Sequence, residues 1–300
     1  MPYINVNDAY ILDNTGKQVD DAVDYALANS NRNLLDNPWF TVNQRNVSGT
    51  ITSGYIADRW TITYGSGGVQ ASRTDNSVTV KSTSGSSHGD IAQRMEKSLF
   101  DFLLGKTVTA SVMRSDGSVI SKSFTFQSAA NSIDVGTDLD GNAIAVRVYQ
   151  TSTYQDVQFW KWKTAGTFRA VKLELGSYST LANDVSPDYG EELRKCQYYY
   201  RRITVQDNGF IALGWATSAT AAQFPNILGT SPMRAKPTAT PTGAVYVRDP
   251  SGTEHAVSSF TVQYDPVAVC LQANTSGLTA NTVARLRIGA GGRIDLSADL

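Results

Sequence analysis

Lys106-Thr107-Val108-Thr109-Ala110-Ser111-Val112 sets apolar side chains against hydroxyl ones with a period of two, and Ser121-Lys122-Ser123-Phe124-Thr125-Phe126 resumes the alternation after Asp116-Gly117. Successive side chains of a strand point to opposite faces, so the pattern predicts half-buried strands joined by a tight turn. Ser77-Val78-Thr79-Val80-Lys81, Ala143-Ile144-Ala145-Val146-Arg147-Val148-Tyr149 and Ala170-Val171-Lys172-Leu173-Glu174-Leu175 read the same way. The run over 55–64 reads as one further strand, and the run over 91–100 as a strand passing into a helix. Many short alternating strands with regular turns predict an all-β, jelly-roll-like sandwich over residues 35–188.

Outward from this block the texture changes twice. Residues 1–34 carry Asp8, Asp13, Asp20, Asp21 and Asp24 against Lys17 and Arg32. Val19, Ala22, Val23, Ala26 and Leu27 fall on one helical stripe. A helix of about three turns is marginal alone. The segment is therefore expected to pack on its own domain or on another copy or partner, as an attachment or oligomerisation element. Beyond 188, Glu191 and Glu192 ahead of Arg194 and Lys195 suit a short helix with a solvated start. Further strand signals, such as Phe210-Ile211-Ala212-Leu213-Gly214-Trp215-Ala216, predict a second β-domain over 189–300. The Pro-spaced stretch over 231–241 is expected to be extended.

Composition narrows the function classes. The chain has 300 residues and a formal net charge of -1, with 29 Ser and 30 Thr, a fifth of the sequence. Near-neutrality speaks against nonspecific nucleic-acid binding, which needs a cationic surface to displace counterions. Two Cys and two His are too few for a disulfide framework or a Cys/His zinc module, and no cofactor is expected. The sequence shows no signal peptide and no apolar run of membrane-spanning length, so synthesis in a cytoplasm without membrane insertion is expected.

Three patterns invite a chemical reading. Gly85-Ser86-Ser87-His88-Gly89 matches G-x-S-x-G, but in a Ser/Gly-rich run of an all-β chain it reads as a hairpin loop rather than a nucleophile elbow. Asp134, Asp138 and Asp140-Gly141-Asn142 crowd a loop without the distal Glu of a calcium loop; the turn reading leads, with a structural calcium near Asp138 and Asp140 as the alternative. Phe159-Trp160-Lys161-Trp162 follows Tyr154-Gln155-Asp156 and puts Trp160 and Trp162 on one strand face. That face is either sandwich core or a surface on which rings stack against sugars. Trp39 and Trp60 are expected in the core.

Several spaced stretches share one resemblance. They include Asn33-Leu34-Leu35-Asp36-Asn37-Pro38-Trp39-Phe40, Ser53-Gly54-Tyr55-Ile56-Ala57-Asp58-Arg59-Trp60 and Lys172-Leu173-Glu174-Leu175-Gly176-Ser177. Pro187-Asp188-Tyr189-Gly190-Glu191-Glu192-Leu193, Cys196-Gln197-Tyr198-Tyr199-Tyr200 and Pro232-Met233-Arg234-Ala235-Lys236-Pro237-Thr238 continue it. Together they resemble bacteriophage and prophage tail-fibre or receptor-binding proteins. The phrase between the Leu-Gly and Tyr-Gly-Glu elements departs from the usual one over 178–186, a change expected to affect only a connecting loop. The resemblance implies a non-catalytic virion component, a homotrimer that joins other tail proteins and contacts bacterial surface glycans through a carbohydrate-binding-type central domain. The glycan-binding candidates are Tyr154, Trp160, Trp162 and Tyr246. Two alternatives stand beside it: a structural virion protein (head fibre, collar or baseplate decoration), and a surface-polysaccharide hydrolase acting through Ser87.

Overall fold

The computed structural model describes residues 31–63, 69–74, 77–82, 88–128, 132–162, 166–205, 209–225, 227, 232–265 and 268–299. The helical stripe over 19–27 and the residues 85–87 of the Ser/Gly run lie outside them. Within the described residues the chain is all-β, with two α-helices, Lys97–Leu103 and Tyr189–Gln197. It divides into two compact units, one ending at Tyr189 and one beginning at Gly190.

The first unit holds three antiparallel sheets. The largest runs, in spatial order, Gly54–Ala57, Trp60–Thr63, His88–Arg94, Gln155–Trp162, Ala143–Gln150 and Ile133–Thr137. A four-stranded sheet contains Val69–Thr74 and Ser77–Ser82, and a three-stranded one sets Thr107–Met113 between Ala170–Leu175 and Val119–Thr125. All three contribute to one core, including Ile62, Val80, Ile91, Val108, Val112, Val146, Phe159, Phe168 and Leu173. Trp60 sits edge-on to Phe40 and Phe159, with ring centroids 5.3 and 6.2 Å away. Trp60 is thus core as expected, whereas Trp39 is half-buried against a small satellite cluster.

The run over 55–64 is a hairpin rather than one strand, because Asp58 and Arg59 turn the chain between Gly54–Ala57 and Trp60–Thr63. Arg59 takes φ 73°. Hydrogen bonds to distant residues hold this turn, and periodicity carries no trace of them. Asp58 Oδ2 accepts the backbone N–H and the side-chain amide of Gln44, each at 2.9 Å, and its Oδ1 accepts Arg45 Nη1 at 2.8 Å. Arg59 donates to Asp36 Oδ2 at 3.1 Å and to the Arg94 carbonyl at 2.6 Å. Buried Asn37 donates to the carbonyls of Val42 and Asp58 at 2.9 Å and accepts the Val42 N–H at 3.0 Å. The residues that carry the opening of the resemblance therefore build a structural knot.

The loop over 178–186 is more than a connection. Lys172, 1% exposed, donates from Nζ to Thr180 Oγ1 at 2.6 Å and to Asp184 Oδ2 at 2.7 Å. Its neighbour Glu174, fully buried, accepts the Thr180 backbone N–H at 2.9 Å and hydroxyl at 2.6 Å. Ser111 Oγ donates to Ser179 Oγ at 2.7 Å, and Thr109 Oγ1 donates to the Gly176 carbonyl at 2.8 Å. The segment is a strap over the outer face of the three-stranded sheet, and it explains why that sheet buries polar residues on a face that alternation would leave wet.

The second unit takes in the Tyr189–Gln197 helix from Gly190 onward. Its start is not fully solvated: Glu192 is buried and pairs with Lys195. Cys196 is buried too, and no disulfide joins it to Cys270. A three-stranded sheet orders Tyr200–Ile203, Arg293–Ser297 and Thr238–Thr242, with Pro241 on an edge strand, where a missing N–H is tolerated. A seven-stranded antiparallel sheet includes Val245–Arg248, Val283–Ile288, Phe210–Ser218 and Ala268–Asn274. The core joins Phe224, Val247, Leu271, Leu286 and Ile294. At Gly214 a methyl group would fall on the Gln223 carbonyl oxygen, so the close approach of these strands requires glycine.

Candidate functional site

Alternation along the Gln155–Trp162 strand sends Val157 and Phe159 into the core and leaves Asp156 and Gln158 on the outer face of the six-stranded sheet. Pairing then fixes their neighbours. Asp156 lies opposite Arg94 on one side and Tyr149 on the other; Gln158 lies between Ala92 and Arg147. Trp160 takes the next same-face register position, between Asp90 and Ala145, and Trp162 follows opposite His88. The side chains of Trp160 and Trp162 lie outside the described residues.

Tyr154 stands at the entry of the strand and joins this face through its ring. The Arg94 guanidinium lies 4.4 Å above the Tyr154 ring centroid, and the Arg147 guanidinium lies 4.8 Å above that of Tyr149. The two tyrosine rings are 6.3 Å apart and tilted by 48°. Farther across the same sheet, Arg45 lies 3.7 Å above Tyr55. Cation–π stacking of this kind immobilises both partners.

Polar chemistry is concentrated beside the rings. Asp90, Asp156 and Gln158 are buried although they face away from the apolar core. Gln158 Oε1 accepts Arg147 Nε at 3.0 Å. Arg94 Nε is 3.7 Å from Asp156 Oδ1, close enough for charge attraction but too far for a hydrogen bond. Asp156 Oδ1 accepts no hydrogen bond among the described residues. Burial pushes its carboxyl above the usual range against the opposing pull of Arg94, Gln158 and Arg147.

Of the four glycan-binding candidates, Tyr154 is therefore brought together with Arg94, Tyr149 and Asp156. Trp160 and Trp162 lie on the strand that Tyr154 precedes, in the same-face register as Asp156. Tyr246 belongs to the second unit, half-buried on a strand where it pairs opposite Arg287. Arg94, Arg147, Tyr149 and Asp156 were not singled out from the sequence. Counting back in twos from Trp160 reaches Gln158 and Asp156, but which strands flank them is not written in local sequence.

The Asp134-to-Asn142 pattern resolves into local ties. Asp138 Oδ1 accepts the backbone N–H groups of Asp140 at 3.0 Å and Asn142 at 2.7 Å, and Gly141 takes φ 79°, so the loop is an Asx-stabilised turn. A pocket of about 210 Å³ beside it is lined by Arg114, Asp138, Asp140 and Thr167 among others. Among the described residues no group of three or more His, Cys, Asp or Glu side chains is placed to hold a metal. Ser87 lies outside the described residues. His255 contacts Asp249 Oδ2 at 3.2 Å, while the Ser251 hydroxyl donates to Asp249 at 2.6 Å, an arrangement that ties a hairpin turn. No described helix is long and apolar enough to cross a membrane.

The second unit presents a different surface. Phe210, Leu213, Trp215 and Val283 are exposed on adjacent strands, with Leu213 67% exposed. Trp215 lies opposite Val283, Leu213 opposite Arg285, and the Arg285 guanidinium is 5.5 Å from the Phe210 ring centroid. No family model, curated protein or solved structure matches the chain.

Proposed function

We propose that the chain is a non-catalytic receptor-binding protein of a bacteriophage or prophage tail fibre, attaching to bacterial surface glycans through its first unit. The observation that carries the reading is the outer face of the six-stranded sheet. There, Tyr149 and Tyr154 stand under arginines beside the polar, buried Asp156 and Gln158. Rings offer a sugar its stacking surface, and guanidinium, amide and carboxylate groups match its hydroxyls. Antiparallel sheets around one core support a jelly-roll-like sandwich over 35–188. Trp160 and Trp162 extend the proposed face along its strand.

A homotrimer in the virion, joined to other tail proteins, completes the reading. The exposed apolar strip of Phe210, Leu213, Trp215 and Val283 supports a protein partner for the second unit. Residues 1–34 would serve attachment, and threefold repetition would raise the avidity of weak sugar contacts. The same strip also suits a structural virion protein whose partners are other particle proteins.

The test is adsorption. Fluorescently labelled full-length chain mixed with a panel of Gram-negative and Gram-positive cells is expected to coat at least one strain and to be displaced by that strain's extracted surface polysaccharide. Absence of adsorption to the panel, or adsorption that polysaccharide does not compete, would defeat the receptor-binding reading and leave the structural one.

A further inference from the structure

The geometry points to an uncharged, hydroxyl-rich sugar as the ligand of this face, with one sugar hydroxyl donating to Asp156 Oδ1. This inference rests on the glycan reading above and gives it a chemical class. Asp156 is 4% exposed, and its Oδ1 accepts no hydrogen bond among the described residues. A buried carboxylate oxygen without a donor is costly to maintain, and native structures carry few of them. The surrounding groups do not supply that donor. Gln158 accepts Arg147 Nε through its Oε1, and its side chain makes no hydrogen bond to Asp156 Oδ1. Arg94 is held over Tyr154 with its Nε 3.7 Å from Oδ1. A donor arriving from outside would complete the site.

Charge selects what brings it. Arg94 and Arg147 border Asp156, and Asp90 lies farther along the same face, opposite Trp160. An anionic sugar would set its carboxylate, phosphate or sulfate against the buried Asp156 carboxylate, and an ammonium group would meet two guanidiniums. A hydroxyl meets neither objection, because it donates to the carboxylate and accepts from a guanidinium at once. The tilted Tyr149 and Tyr154 rings give the C–H face of the same sugar an apolar wall.

The experiment is native affinity electrophoresis of the full chain in gels cast with neutral polymers (β-glucan, galactomannan, arabinoxylan) or acidic ones (alginate, polygalacturonate, hyaluronan). At least one neutral polymer is expected to retard the protein and no acidic polymer to do so. Asp156→Asn is expected to weaken that retardation about tenfold or more, with the melting temperature unchanged or higher. Retardation by acidic polymers overturns the inference and leaves the glycan reading standing. So does failure of every neutral polymer while the protein still adsorbs to bacteria. Failure in gels and on cells defeats both. Full affinity in Asp156→Asn overturns the role of Oδ1, as does a loss of affinity that tracks a fall in melting temperature.

Discussion

Arg94 and Asp156 face each other across paired strands at 3.7 Å, yet the guanidinium is stacked 4.4 Å above the Tyr154 ring and does not hydrogen-bond the carboxylate. The aspartate is thus neither solvated nor fully paired. Burial raises its pKa above the ordinary 3.8, outweighing Arg94, Gln158 and Arg147. A carboxyl with a raised folded-state pKa contributes stability that is present below the unfolded value and lost as pH rises through the folded one. Asp156→Asn is therefore expected to be more stable than the parent at pH 7, with the difference vanishing towards pH 3. Urea denaturation at the two pH values measures it; a variant less stable at pH 7 contradicts the account.

Lys172 anchors the strap over the three-stranded sheet. Lys172→Met keeps the bulk of the side chain but leaves Glu174 and Asp184 without their cation. Removing one partner of a buried ionic group costs about 3–5 kcal/mol. Chemical denaturation should register a loss of that size, and limited proteolysis should show cleavage within 176–186 that the parent resists.

Asn37 is the centre of the knot formed by the Asn37-to-Phe40 and Asp58-to-Trp60 stretches. Asn37→Ala removes the buried side-chain hydrogen bonds to Val42 and Asp58 and places alanine at φ 49°. The expected loss is about 3 kcal/mol or more. Thermal melts would detect it as a fall of several degrees in the first-unit transition, and an unchanged melt would mean that the knot is dispensable.

In the second unit, Asp295 accepts Tyr200 Oη and Arg202 Nε, both at 2.7 Å, and Arg293 Nε at 3.1 Å. Burial by itself raises its pKa, but the hydrogen bonds from Arg202, Tyr200 and Arg293 prevail and hold it below the ordinary 3.8. A depressed folded pKa means stability present above about pH 4 and lost as pH falls through the folded value. Asp295→Asn should lower stability at pH 7 and flatten the acid limb of the second-unit transition. Calorimetric scans from pH 7 to pH 2 compare the two proteins.

Leu213 occupies the exposed apolar strip. Sedimentation of the parent at micromolar concentration is expected to give about three times the 32.4 kDa chain mass. Leu213→Glu should sediment as a monomer with an unchanged circular dichroism spectrum, because a side chain 67% exposed adds little to its own unit. A parent that already sediments as a monomer removes the trimer.

Period-two alternation makes Thr107–Met113, Val119–Thr125, Ala143–Gln150 and Ala170–Leu175 legible in the sequence alone, because each has one face in water or under polar cover and one in the core. The same rule misreads 55–64 as one strand: its turn is set by Asp58 and Arg59 bonding to Gln44, Arg45, Asp36 and Arg94, all outside that run. The resemblance, for its part, reads the 178–186 phrase as a connector. The polar residues of that phrase become a strap only when Lys172 and Glu174 are found beneath it.

The candidate face divides along the same line. That Trp160, Trp162, Gln158 and Asp156 share a side of one strand follows from sequence, since a strand's side-chain period is local and near two. That Arg94 and Tyr149 flank Asp156, and that no donor among the described residues reaches its Oδ1, was decided by pairing of strands distant in the chain in one case and by a hairpin in the other. Backbone geometry sets which side chains share a face; the global free-energy balance of core burial sets which strands become neighbours. Composition and periodicity therefore determined the all-β character, while the chemistry of the face came only with tertiary structure.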